Sequence, residues 1–224
     1  MLLKGFVFDF DGLIVDTEMP QFIVFREEFA KLGAAFTYKD WWKIIGTGYD
    51  AYNPFDALSC VAGDHRDAAY FRKRIDGRVD DLLNQTQPLP GVVDFIREAQ
   101  RLGIPMAVAS SSPRAWVRGH LERIGLLDAF DTVITSADVH QVKPDPELYQ
   151  LAVRRLNLQP EECVAFEDSL NGIKSAKGAG LTCIAIPNEI TREMPLAMAD
   201  WIVESFTGLN VQDVLQLTKN TKTV

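Results

Sequence analysis

Short apolar runs alternate with apolar stripes of helical spacing along most of the chain. Short, mainly apolar runs fall at residues 2–10, 104–109, 132–135, 163–166 and 182–186, with a weaker sixth at 201–203. They lack polar alternation, the pattern of strands buried on both faces of a parallel sheet. Between them lie helical stripes: Val92, Phe95, Ile96, Ala99 and Leu102; Trp116, Val117, His120, Leu121 and Ile124; Leu148, Leu151, Ala152 and Leu156; Leu170, Ile173 and Ala176. Gly103 and Gly125 follow the first two stripes, where a left-handed helix cap belongs. From residue 88 onward, helix and strand alternate. With the first run added, this order predicts an α/β fold, a doubly wound parallel sheet of Rossmann-like type.

Residues 17–87 break the alternation. Phe22, Phe25, Phe29 and Leu32 form a helical stripe closed by Gly33, and a second helix starts near Thr37, an N-cap residue. Ala68, Phe71, Ile75, Val79 and Leu82 form a long third stripe, and the region holds no strand candidate. The pattern predicts a helical-bundle cap at 17–87, inserted into a core made of 1–16 and 88–224. Residues 14–18 read as the outgoing linker and Pro88-Leu89-Pro90-Gly91 as the return. The polar tail from Thr218 reads as frayed.

Composition narrows the partners. The 224 residues are 47% hydrophobic and 24% charged, with a net charge of −8. That charge opposes nucleic acid or an anionic membrane as partner, while a small anionic substrate remains compatible because one cation can dominate a cleft. No apolar run is long enough to span a bilayer, and Asp9 interrupts any signal-peptide pattern. Cys60, Cys163 and Cys183 form no CxxC pair and read as buried free thiols. A cytoplasmic monomer is expected.

The polar residues that end the apolar runs carry the chemistry. Asp9 and Asp11 end the first run, Ser110-Ser111-Ser112 the second, and Glu167-Asp168-Ser169 the fourth; Lys143 follows the third by a short loop. In a strand, residues i and i+2 share a side, so Asp9 and Asp11 start as neighbours. Ligands of an open parallel sheet bind outside the carboxyl ends of its strands, where all four clusters converge. Asp9, Asp11, Glu167 and Asp168 offer hard oxygen ligands suited to Mg²⁺. One carboxylate can attack phosphorus, and another can move a proton. Ser110 can donate to a phosphoryl oxygen, and Lys143 balances the negative charge. Ser112 reads as the N-cap of the following helix, and Asp145 as a cap for the helix that begins at Pro146.

The runs Asp9-Phe10-Asp11-Gly12-Leu13-Ile14-Val15-Asp16-Thr17-Glu18, Ser110, Lys143-Pro144-Asp145-Pro146 and Phe166-Glu167-Asp168-Ser169 resemble the four motifs of the haloacid dehalogenase superfamily. The inserted helices resemble its first type of cap, and the nearest groups are sugar-phosphate phosphatases and β-phosphoglucomutase-like enzymes. The resemblance implies that Asp9 is the nucleophile and Asp11 the general acid/base, with Asp11 meeting Mg²⁺ through its backbone carbonyl. It implies that Asp168, with Glu167, completes the metal site and that Ser110 and Lys143 hold the phosphate. Ser111, Glu18 and Gly46 are further substrate-binding candidates; Gly46 belongs to the cap loop Gly46-Thr47-Gly48.

Two positions depart from the family pattern. Val142 stands where glycine is frequent, and Gln21 stands where the mutases carry a histidine associated with phosphoryl retention. Gln21 therefore favours hydrolysis. The expected function is Mg²⁺-dependent phosphatase action on a small phosphorylated metabolite. A phosphosugar mutase is the main alternative; a dehalogenase, a phosphonate hydrolase using Lys31, Lys39 or Lys43, and a non-catalytic regulator are the others.

Overall fold

The computed structural model describes residues 3–50 and 52–217; the tail from Thr218 and the start of the first apolar run lie outside them. The elements in order are β1 (Gly5–Phe8), α1 (Glu18–Lys31), α2 (Tyr38–Trp41), α3 (Pro54–Ala62), α4 (Ala68–Leu83), α5 (Val92–Arg101), β2 (Met106–Ala109), α6 (Arg114–Arg123), β3 (Thr132–Ile134), α7 (Glu147–Arg155), β4 (Cys163–Glu167), α8 (Leu170–Gly178), β5 (Thr182–Ala185), β6 (Trp201–Ile202) and α9 (Val211–Gln216). The strands form one sheet in the order β3-β2-β1-β4-β5-β6, with every pairing parallel. This is the doubly wound α/β arrangement that the apolar runs predict. The strand order reverses between β1 and β4, the place where ligands of such sheets bind at the carboxyl edge.

Period-two alternation divides β1 between the two faces of the sheet. Phe6 and Phe8 join one apolar cluster with α5, α6 and α9, while Val7 joins another with α7 and α8. On the first face Phe8 stacks on Phe166 at 4.8 Å, with Phe95 and Phe206 around them. Rings fill space on this face, whereas Ala107, Ala109 and Ala165 let α7 and α8 approach on the other.

The segment between β1 and β2 has its own core. Phe25, Trp41, Phe55, Phe71 and Ile75 cluster with other residues of the inserted segment, and Ile190 joins them from the core side, with Trp116 and Met194 packed against the cluster. Thr37 and Asp40 form a capping box at the start of α2, as the N-cap reading requires. The apolar stripes do not reveal α3. Its signal is local: the Asn53 side chain accepts from Phe55 N at 3.0 Å, and Pro54 occupies the first turn. Helix α9 is likewise absent from the sequence reading and starts on an Asn210 cap.

The two linkers run side by side. Val15 and Pro88 form an antiparallel bridge, and Leu89 N donates to Ile14 O at 2.9 Å. Trp42 Nε1 donates to Ile190 O at 2.8 Å and Asn171 Nδ2 to Ile45 O at 2.9 Å, docking the helical segment on the strand edge. No helix among the described residues is long and apolar enough to cross a membrane. Cys163 and Cys183 are buried free thiols; Cys60 is exposed, because its position on α3 faces away from that helix's buried side.

Candidate active site

The site is built where β1 and β4 end together. Asp9 N donates to Phe166 O at 3.0 Å, extending the ladder one residue past β1. The Asp9 carboxylate thereby emerges beside Glu167 and Asp168. One carboxylate oxygen from each of these three residues lies within 4.8 Å of the other two. Lys143 Nζ sits against this group, 2.5 Å from Asp9 Oδ1 and 2.7 Å from Glu167 Oε1, and is 2% exposed. Tyr149 OH donates to Glu167 Oε1 at 2.5 Å, and Asn188 Nδ2 to Asp168 Oδ2 at 2.8 Å.

Two glycines make room for the acids. Gly12 adopts φ +79°, a conformation that glycine reaches freely. A Cβ there would lie 2.6 Å from Asp168 Oδ2 and 2.7 Å from Asn188 Nδ2. A Cβ on Gly172 would lie 1.9 Å from Glu167 Oε2, so the Glu167 side chain occupies the space a methyl would need.

Three buried carboxylates against one ammonium leave negative charge to be neutralised. Burial raises the Asp9 carboxyl above its usual range, Glu167 adds to the rise, and Lys143 offsets part of it. Asp168 is raised for the same first cause, with Asp9 and Glu167 next. Burial alone would lower the Lys143 ammonium, but Asp9 and Glu167 outweigh it and hold the group above its ordinary value. Asp168 Oδ1 is buried with no hydrogen-bond partner. An orphaned oxygen in a hard-oxygen cluster of excess negative charge fits a divalent cation such as Mg²⁺.

Asp11 takes a different place. Strand pairing stops before it, so it does not stay beside Asp9 as strand alternation would have it, and its side chain is not in the acidic cluster. Four donors hold its carboxylate: Thr17 Oγ1 at 2.9 Å and Trp116 Nε1 at 2.8 Å to Oδ1, Ser110 Oγ at 3.1 Å and Ser112 Oγ at 2.7 Å to Oδ2. Ser112 therefore orients Asp11 and does not cap α6, whose cap position is Pro113. Ser110 is fully buried and turned to Asp11, off the cavity wall; Ser111 lines the wall, and its Oγ accepts from Lys143 N at 3.3 Å. Asp145 Oδ1 accepts from Glu147 N at 2.9 Å, but the cap position of α7 is Pro146, so Asp145 stands one residue before the cap that the sequence reading gave it.

A cavity of about 270 Å³ lies between the helical segment and this edge, lined by Asp9, Asp11, Lys143 and Asp168 on one side. Glu18, Gln21, Trp41, Gly46 and Tyr49 line the other, so both cap-side candidates, Glu18 and Gly46, reach it. Glu18 Oε2 accepts from Trp41 Nε1 at 2.6 Å. Burial, with Asp11 and Asp16 adding repulsion, pushes its carboxyl up to about 8. Lys31 pairs with Glu28 and Lys43 with Asp40; neither these lysines nor Lys39 line the cavity. Trp116, Tyr149 and Asn188 escape a motif search because each resembles an ordinary core or capping residue in sequence; Thr17 lies within the first motif, but its contact with Asp11 is not legible there.

Known proteins share this architecture. YhcW of Bacillus subtilis (strain 168), provisionally named a phosphatase, is 38% identical over 213 residues, covering 94% of this chain and 95% of its own. A Thermotoga maritima phosphorylated carbohydrates phosphatase is 30% identical over 180 residues, covering 80% of this chain and 82% of its own. A crystal structure of a CbbY mutant from Rhodobacter sphaeroides in complex with xylulose-1,5-bisphosphate superposes with a TM-score of 0.74 at 31% identity, over 97% of this chain and 100% of that one. Residues 3–180 match the haloacid dehalogenase-like hydrolase family. With the parallel sheet, the acids at its edge and the inserted helices in agreement, the chain belongs to the haloacid dehalogenase-like hydrolases.

Proposed function

We propose that this hydrolase is a Mg²⁺-dependent phosphatase of a small phosphomonoester, with residues 17–87 as its cap and 1–16 with 88–224 as its catalytic core. The observation that carries the reading is the meeting of Asp9, Lys143 and Asp168 on the wall of one cavity, with the carboxylate of Asp11 held separately beside them. Asp9 attacks phosphorus, the bond to the leaving oxygen breaks, and Asp11 gives that oxygen a proton. Asp11 then takes a proton from water, which attacks the aspartyl-phosphate; the phosphorus–Asp9 bond breaks and phosphate leaves. Lys143 balances negative charge on the transferring group and fixes Asp9. Ser110 and Ser112 keep Asp11 aimed, while Ser111 faces the phosphate. The Asp9, Glu167 and Asp168 carboxylates with the Asp11 carbonyl would hold Mg²⁺, which would supply positive charge to the phosphoryl transfer.

Gln21 lines the cavity, donates to Thr17 O at 2.9 Å and accepts from Tyr49 OH at 3.3 Å. An amide cannot exchange protons there, which favours hydrolysis over phosphosugar mutase action. The free cysteines agree with a cytoplasmic enzyme, which we take to act as a monomer. A panel of phosphate esters assayed with Mg²⁺, with EDTA, and with Asp9→Asn tests the reading. Turnover should require Mg²⁺ and disappear in Asp9→Asn; full turnover by that variant would refute the assignment. A coupled isomerisation assay with a bisphosphate primer should show no mutase product.

A further inference from the structure

We infer that the leaving group is a small, uncharged, hydroxylated compound, and that the cavity selects against esters carrying a second anionic group. The inference rests on the phosphatase reading of the same cavity. At about 270 Å³ the space is small for a ligand site, near the lower end of the ~300–1,000 Å³ usual for such pockets. Among the described residues that line it, Lys143 is the sole cation, and its Nζ is already shared between Asp9 and Glu167 at 2.5 and 2.7 Å.

The opposite end is formed by Glu18, Gln21, Trp41, Ile44, Ile45 and Tyr49. It offers carboxyl, amide and phenol groups to hydroxyls, and indole and aliphatic faces to carbon. A phosphate or carboxylate placed there would lose water with no positive partner among the described lining residues. No cation of the cap is among the residues that line the cavity, and three of them are engaged away from it. Lys43 pairs with Asp40 at 2.9 Å, Arg78 with Glu27 at 2.5 Å, and the Arg72 guanidinium stacks on Phe55 at 4.2 Å. The bisphosphate held in the CbbY crystal structure carries a second anion, and none of the described residues on the far wall of this cavity is a cation.

Matched substrates test this directly. The purified protein with Mg²⁺ is assayed on 2-hydroxyethyl phosphate against 2-phosphoglycolate, and on fructose 1-phosphate against fructose 1,6-bisphosphate, with p-nitrophenyl phosphate as a neutral control. The member of each pair without a second anionic group should have the higher kcat/KM by at least about tenfold. Gln21→Lys places a cation on the far wall and should shrink each ratio by about tenfold. Equal or faster turnover of the anionic esters, or ratios unmoved by Gln21→Lys, would overturn the inference while turnover of p-nitrophenyl phosphate leaves the phosphatase reading standing. Failure to hydrolyse any ester would overturn both.

Discussion

Glu18 stores a pH dependence that can be read from stability alone. Its side chain is 9% exposed, bonded to Trp41 Nε1 at 2.6 Å and repelled by Asp11 and Asp16. Burial is the largest cause of the rise from 4.5 to about 8. In the unfolded chain the acid loses its proton near 4.5, whereas in the folded protein it keeps it until near 8. Between those values the folded state binds more protons, so stability falls as pH rises through the window and levels off above it. At ~1.4 kcal/mol per tenfold in proton affinity the ceiling is about 5 kcal/mol. Relaxation and water entry reduce this, and about 2 kcal/mol is the expected effect. Glu18→Gln keeps an oxygen for the Trp41 indole and removes the titration. Urea unfolding of both proteins in EDTA, at several values from pH 5 to pH 9, should show the variant gaining on the parent by about 2 kcal/mol between pH 5 and pH 8.5. A constant difference across the range would refute the argument.

Three further outcomes follow from the same geometry. Trp116→Phe keeps the ring but removes the donor to Asp11 Oδ1; kcat for a phosphate ester should fall at least about tenfold with little change in KM, because a misaimed proton donor affects the chemical step. Gly172→Ala forces Glu167 out of its place, so the Mg²⁺ concentration that half-saturates activity should rise by about 10- to 100-fold in a metal titration. Lys143→Met leaves Asp9 and Glu167 buried without their cation; thermal unfolding in EDTA should show a loss of about 3–5 kcal/mol, and added Mg²⁺ should raise Tm more in the variant than in the parent.

Most of the sheet is readable from the chain because buried parallel strands are continuous apolar runs, and the acids, serines and Lys143 fall just after them. Strand ends are less readable. Residues 2–10 are apolar almost throughout, yet β1 closes at Phe8, since Asp9 makes the last ladder bond and Gly12 turns the chain. Helix α3 hides because it is apolar on several sides and its start depends on one Asn53 cap. The separate setting of the Asp11 carboxylate, away from Asp9, is not legible from strand alternation. It depends on Thr17, Trp116 and Ser112, whose hydroxyls and indole are drawn to Asp11 by tertiary placement. Ser112 precedes Pro113 and so looks like a helix cap, although its hydroxyl is spent across the cleft. Asn188 is invisible for a similar reason: it lies in a loop 20 residues after Asp168 in sequence and returns to hold it.

The paired linkers have a consequence for how such a chain can diversify. Ile14–Leu89 and Val15–Pro88 join the outgoing and returning strands, so the inserted helices leave and re-enter the core at one point. The distance that β1 and α5 must bridge is independent of what lies between. Helices can be lengthened, shortened or exchanged in that interval while Asp9, Lys143 and Asp168 keep their positions. Selectivity can therefore evolve as a replaceable module on a fixed chemical base.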